Sequence, residues 1–136
     1  MNKHIGTNVL ATREIQRAIE DKMTTRLVGH FKFKGFGRAV EIHELLGSLE
    51  IAGATRLWRE KFASALQNFR QRKFDTAEKE FRETIELRKA AEQNATQPNE
   101  LAIADGPATF YLDQIVSLRE HPPAYEWIGE VSLREK

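Results

Sequence analysis

A chain of 136 residues with a formal net charge of +1, 40% apolar and 30% charged residues, has the composition of an ordinary water-soluble protein with one modest core or two very small ones. The absence of cysteine excludes disulfides, thiolate metal sites and cysteine catalysis, and so small a net charge predicts neither nucleic-acid nor anionic-membrane binding. No apolar run approaches the roughly 20 residues of a membrane span, and the start MNKHIGTNVL lacks the apolar core of a secretory leader, so the expected location is cytoplasmic.

In chain order, Ile5 to Ala11 reads as a short buried strand. Thr12 suits a helix N-cap, and Ile15, Ala18 and Ile19 follow at helical spacing, which predicts a short amphipathic helix. Alternation then resumes through Thr24 to Val28 and leads into LVGHFKFKGFGRAVEIHELL, residues 27–46, a β-hairpin turning at Gly35-Phe36-Gly37. Phe31 and Phe33 are expected on one face, with His30, Lys32 and Lys34 on the other; on the return, Val40, Ile42 and Glu44 alternate with Ala39, Glu41 and His43.

Gly47 closes the sheet portion, and a loose stretch from Ser48 to Gly53 leads to a helix whose stripe is Leu57, Trp58, Phe62, Ala65, Leu66 and Phe69. Arg70, Arg72 and Lys73 fall at its end, where positive charge complements the last carbonyls. A second helix starts near Asp75, the expected N-cap, and carries Ala77, Phe81, Thr84, Ile85 and Arg88; so short a connection predicts an antiparallel pair. NATQPN, residues 94–99, reads as a loop. Asp105-Gly106-Pro107 signals a third helix with Phe110, Tyr111, Ile115, Val116 and Leu118 as its stripe, ended by Pro122-Pro123. The tail carries Trp127, Val131 and Leu133, too apolar to hang free, and is expected to dock on the helices or run along a sheet edge.

Candidate chemistry is sparse. His4, His30, His43 and His121 have no metal-ligand spacing. Lys32, Lys34 and Arg38 could suggest a nucleic-acid-binding hairpin, but basic and aromatic residues fall on opposite faces and Glu41 and Glu44 lie close by. Trp58 and Trp127 could anchor a partner, yet aromatics on a helical stripe or a docked tail are usually core.

Two resemblances emerge from these segments. Asn2-Lys3-His4-Ile5-Gly6-Thr7, a strand, a helix and the hairpin FKFKGFGRAVEIHEL together resemble the last part of a class III adenylate/guanylate cyclase catalytic domain, over residues 1–47. Phe74-x-x-Ala77-x-x-x-Phe81, following a helix with Ala65, is similar to the core of one tetratricopeptide repeat, with Arg72 where such repeats usually place glycine. DGPATFYLDQI and PPAYEWIGEVSLREK also resemble the tails that follow some bacterial cyclase domains.

The first resemblance implies a parent reaction in which the ribose 3′-hydroxyl of ATP or GTP attacks the α-phosphate, assisted by two Mg or Mn ions. The family's metal-binding aspartates, and its asparagine and arginine, have no counterpart in the matched stretch; Asp21, Asp75, Asp105 and Asp113 stand in the wrong context. The chain alone is therefore expected to be inactive and to need no cofactor. Lys34 alone carries over, as the lysine that can approach the nucleotide phosphates in the complete parent.

The fold expected is α+β: a truncated cyclase-like β-α-β-β unit over residues 1–47, then a tetratricopeptide-like helical module over 48–136 with a docked tail. Trp58, Phe62, Phe74, Ala77, Phe81 and Trp127 are the candidates for helical packing or partner contact. A sheet cut in its middle leaves an open strand edge, which implies pairing with a second copy or a mobile N-terminal third. The expected role is the C-terminal part of a nucleotide cyclase whose helices serve dimerisation or regulation. The alternative is a free-standing protein-interaction module.

Overall fold

A computed structural model describes residues 10–33, 38–93 and 105–133. Among them lie a four-stranded mixed sheet and four α-helices: β1 (Leu10–Thr12), α1 (Arg13–Ile19), β2 (Met23–Phe33), β3 (Val40–Ser48), α2 (Ala52–Arg70), α3 (Phe74–Gln93), α4 (Gly106–Glu120) and β4 (Val131–Leu133). The chain is thus α+β. The strand-helix-strand-strand order expected of the first third is present, and β2 and β3 pair antiparallel as the hairpin requires. Its turn, with Gly35 and Gly37, lies outside the described residues, as does the start of the first expected strand.

Strand order is β1-β3-β2-β4. β1 lies antiparallel to β3, and the tail strand β4 lies parallel to β2, Phe31 opposite Val131 and Phe33 opposite Leu133. The chain's own tail therefore covers part of the edge expected to stay open. From Met23 to His30, β2 has no second neighbour among the described residues.

A bulge between Leu27 and Gly29 shifts the β2 register by one residue, so Val28 and Phe31, three apart, both point to the helices. There they meet Ile42, Phe62, Phe69, Phe81, Tyr111 and Ile115 in one cluster to which both stretches of the chain contribute. Phe81 stacks on Tyr111 at 5.1 Å, and Phe69 meets the same ring edge-on at 4.8 Å. Gly29 sits at φ +153°, and a Cβ there would come within 1.9 Å of the Tyr111 hydroxyl, which donates to the Val28 carbonyl at 2.8 Å. Only glycine lets the strand pass this close to the ring.

The three-residue link between α2 and α3 makes an antiparallel hairpin, with Ala65 and Ala77 fully buried. Thr84 is also fully buried, its hydroxyl donating to the Glu80 carbonyl at 2.9 Å. Between the helices, Arg72 adopts φ +66° while the Lys73 amide reaches the Asn68 carbonyl and the Arg72 amide that of Phe69. This is the double hydrogen bond of a Schellman ending, with arginine in the left-handed place where glycine is usual.

Several sequence expectations need correction. Ser48 to Gly53 is not loose: β3 runs to Ser48, a single 3-10 turn follows, and α2 begins at Ala52. Asp75 is not an N-cap, because α3 begins at Phe74, with the Ala77 amide already bonded to the Lys73 carbonyl. Thr12 stands at the N-cap of α1, but its side chain makes no cap hydrogen bond. Leu57 and Val116 are more than half exposed, because each sits one residue, about 100° of helix, from a residue that takes the buried position, Trp58 and Ile115. α1 buries no residue and leaves Ile15 53% exposed.

Candidate functional site

The chemistry-bearing residues gather where β2 meets the helices. Arg26 points inward, two residues before Val28, and its side chain is almost wholly buried. It donates to Glu44 of β3 at 2.7 Å and, through both terminal nitrogens, to the Asp105 carboxylate at 2.7 and 2.9 Å. Asp105 also caps α4 by accepting from the Ala108 amide at 3.1 Å, and Arg88 of α3 reaches it at 3.2 Å. Both cations also lie against Trp58, with the Arg26 and Arg88 guanidinium carbons 5.0 and 4.6 Å from its ring centroid. Burial alone would raise the Asp105 pKa, but the Arg26 charge and hydrogen bonds, with Arg88, hold it below the ordinary aspartate value. Two cations and two anions are mutually satisfied, so the network is a lock between sheet and helices rather than a reactive centre.

Beside this lock opens a groove of about 760 Å³, bounded by β2 at Thr25–Leu27, by α2 from Arg59 to Arg70 with Gln71 at its end, and by Trp127 and Ile128 of the tail. Its floor is apolar, with Phe62, Ala63 and Leu66; Arg59, Glu60 and Arg70 stand along it. Arg59 is fixed by Thr55 Oγ1 at 2.8 Å and the Ala52 carbonyl at 2.6 Å.

The tail that forms one end of the groove is strapped down. The Arg72 guanidinium donates to the carbonyls of Ala124, Tyr125 and Trp127 and lies 5.6 Å from the Trp127 ring. Arg70 Nε donates to the Ile128 carbonyl at 3.3 Å, and Trp127 packs on Phe69 and Phe74. Both expected dockings of the tail therefore occur, on the helices through Trp127 and on the sheet edge through β4.

On the opposite face of the hairpin, Glu41 Oε2 lies 2.8 Å from His43 Nε2, and Glu41 Oε1 lies 3.6 Å from His30 Nε2. Burial, then the Arg70 charge, depress the His30 pKa, and its Nδ1 is buried with no hydrogen-bond partner among the described residues. Burial would raise Glu41, but the His43 hydrogen bond and the charges of His43, Arg13 and His30 bring it below its ordinary value. Among the described residues no group of three ligand side chains is arranged to hold a metal ion.

Of the residues singled out from sequence, Trp58, Phe62, Ala77 and Phe81 are buried, and Phe74 and Trp127 are half-buried against the same core. All six are engaged in packing within the chain. Lys34 lies outside the described residues. Sequence alone reveals neither the lock nor the strap: strict alternation from Phe31 puts Arg26 on the His30 and Lys32 face, and only the bulge between Leu27 and Gly29 brings it inward beside Val28. Asp105 was legible as a helix start but not as a counter-ion. Among the described residues no helix is long and apolar enough to cross a membrane. Comparison with protein-family models, with curated proteins and with solved structures finds no match to this chain.

Proposed function

We propose that this chain is the non-catalytic C-terminal part of a class III nucleotide cyclase, in which the helices and the tail strap brace the end of the catalytic domain's sheet. The observation that carries the reading is an asymmetry between the two faces of the sheet. The helix-facing side has a closed aromatic core and a satisfied ion network. On the other side α1 holds Ile15, Ala18 and Ile19 at helical spacing yet buries none of them. An amphipathic helix earns its stability by covering its apolar stripe, so this face calls for further polypeptide: the remainder of a cyclase domain, or a second copy of the chain. The strand-helix-strand-strand order of the resembling stretch supports the same reading.

In such a parent, ATP or GTP and the Mg or Mn ions would be held by residues outside this chain, and Lys34, which lies outside the described residues, would be this chain's own contact to the phosphates, as the resemblance implies. The test is an immunoblot of native extract with an antibody against residues 57–87, followed by cyclic-nucleotide assay of the precipitate. A band several times larger than 15.6 kDa that cyclises ATP or GTP is expected. A band at 15.6 kDa without turnover would overturn the reading in favour of a free-standing interaction module, the reading the groove beside β2 favours.

A further inference from the structure

The groove beside β2 joins two features: a strand edge without a partner among the described residues and an apolar trough with fixed cations along it. β2 is paired with β3 along its length, but β4 takes the other edge only at Phe31–Phe33. Where β2 borders the groove, at Thr25–Leu27, that edge has no strand against it among the described residues. In an extended strand, N–H and C=O groups project to both sides, so this edge offers hydrogen bonds that β3 cannot take. β4 is direct evidence that the same edge of the same strand accepts a neighbour.

The side walls narrow the choice of occupant. Leu66 and Phe62 form the floor, and Ile128 stands at the lip 68% exposed. Along the helix wall Arg59 and Arg70 are each held by a backbone carbonyl, which fixes their position without neutralising their charge. Glu60 is the anion that faces them from the same wall. The third arginine of the groove, Arg26, is already committed to Glu44 and Asp105. The free charge of the wall is therefore positive, and the volume of about 760 Å³ suits a few residues of extended chain.

We propose that the groove takes a short extended segment of another polypeptide, added as a strand to β2 at Thr25–Leu27. Every second side chain of that segment faces α2: the middle one is apolar and rests on Leu66, and those two residues before and after it are acidic and meet Arg59 and Arg70, while the intervening side chains turn to the far side of the sheet. The mode is strand addition, in which backbone hydrogen bonds supply affinity and the side-chain alternation supplies selectivity. It holds whether the chain works alone or within a longer protein.

The experiment uses the full chain, labelled with 15N, and two capped hexapeptides whose first, third and fifth residues are glutamate, valine and glutamate in the acidic one and lysine, valine and lysine in the basic one, with serine at the other positions. The acidic peptide is expected to shift and protect the amides of Thr25 to Leu27, to shift those around Arg59 and Arg70, and to bind about tenfold more tightly than the basic one, the effect of two partly exposed charge pairs. Arg59→Glu should remove that preference while leaving the melting temperature of the chain within a few degrees. Equal binding of the two peptides, no shifts up to millimolar peptide, or shifts confined to other surfaces would overturn the proposal. So would peptide-free shifts of the same amides that grow with protein concentration, because they would assign the groove to a second copy. The two-peptide comparison needs no variant, so it stands even if Arg59→Glu fails to fold.

Discussion

Arg72 carries two opposing effects that substitution can separate. Its backbone holds φ +66°, a conformation that costs a residue with a Cβ about 1 kcal/mol relative to glycine. Its guanidinium bonds the carbonyls of Ala124, Tyr125 and Trp127 and lies over the Trp127 ring. Because these contacts are exposed, their combined worth is about 1–2 kcal/mol rather than the sum of three charge-assisted bonds. Arg72→Ala keeps the strain and loses the strap, so it should cost about 1–2 kcal/mol. Arg72→Gly loses the strap but releases the strain, so it should fall about 1 kcal/mol short of that loss and lie near the parent. In urea, where a chain of this size has a slope of roughly 2 kcal/mol/M, the two variants should differ by about 0.5 M in midpoint. Hydrogen exchange adds the local readout: in both variants the amides of Trp127 and Val131 should lose protection while those of Phe62 and Phe81 keep theirs. Equal midpoints for the two variants would refute the strain, and an unchanged tail would refute the strap.

Three further perturbations test the interior. Asp105→Ala leaves Arg26 buried with Glu44 alone and removes the cap of α4, so it should cost about 4 kcal/mol by urea unfolding. Asp105→Asn, which can still cap, should cost less, and equal losses would show that the charge contributes nothing. Gly29→Ala should cost about 3 kcal/mol from backbone strain and collision with the Tyr111 hydroxyl, and Tyr111→Phe in the same chain should recover part of it; strict additivity of the two would sink the argument. His30 has its pKa depressed in the fold, so the unfolded chain binds more protons and stability is lost as pH falls from about 6.5 through the folded value. His30→Gln should flatten that part of the stability–pH curve, whereas losses that begin near pH 4.5 belong to Glu41 and Glu14 and should persist.

The element types were legible because each rests on local periodicity. Alternation in residues 27–46 dictates two strands, and the steps of three and four through Trp58, Phe62, Ala65, Leu66 and Phe69 dictate a helix whose buried face is those five residues. Asp105-Gly106-Pro107 and Pro122-Pro123 fix where α4 starts and stops through the chemistry of proline and an N-cap carboxylate. Arg72 in a glycine position was legible as a departure from pattern, though not as a clamp.

What only the tertiary structure decided are the pairings between residues far apart in the chain. Periodicity puts Arg26 on the face of His30 and Lys32; only the bulge between Leu27 and Gly29 turns it to the helices, where Asp105, 79 residues later, meets it. Periodicity says that the tail is apolar but not that Val131 will lie beside Phe31, so that β4 pairs β2 only at Phe31–Phe33 and Thr25–Leu27 has no second strand among the described residues. Nor can it tell Leu57 from Trp58, or Val116 from Ile115, since neighbouring apolar residues compete for one buried position and the shape of the opposite surface settles the winner. Local sequence fixes the elements through dihedral preference and side-chain period; the site arises from their juxtaposition, where buried charge and close packing are matched only once the chain has closed on itself.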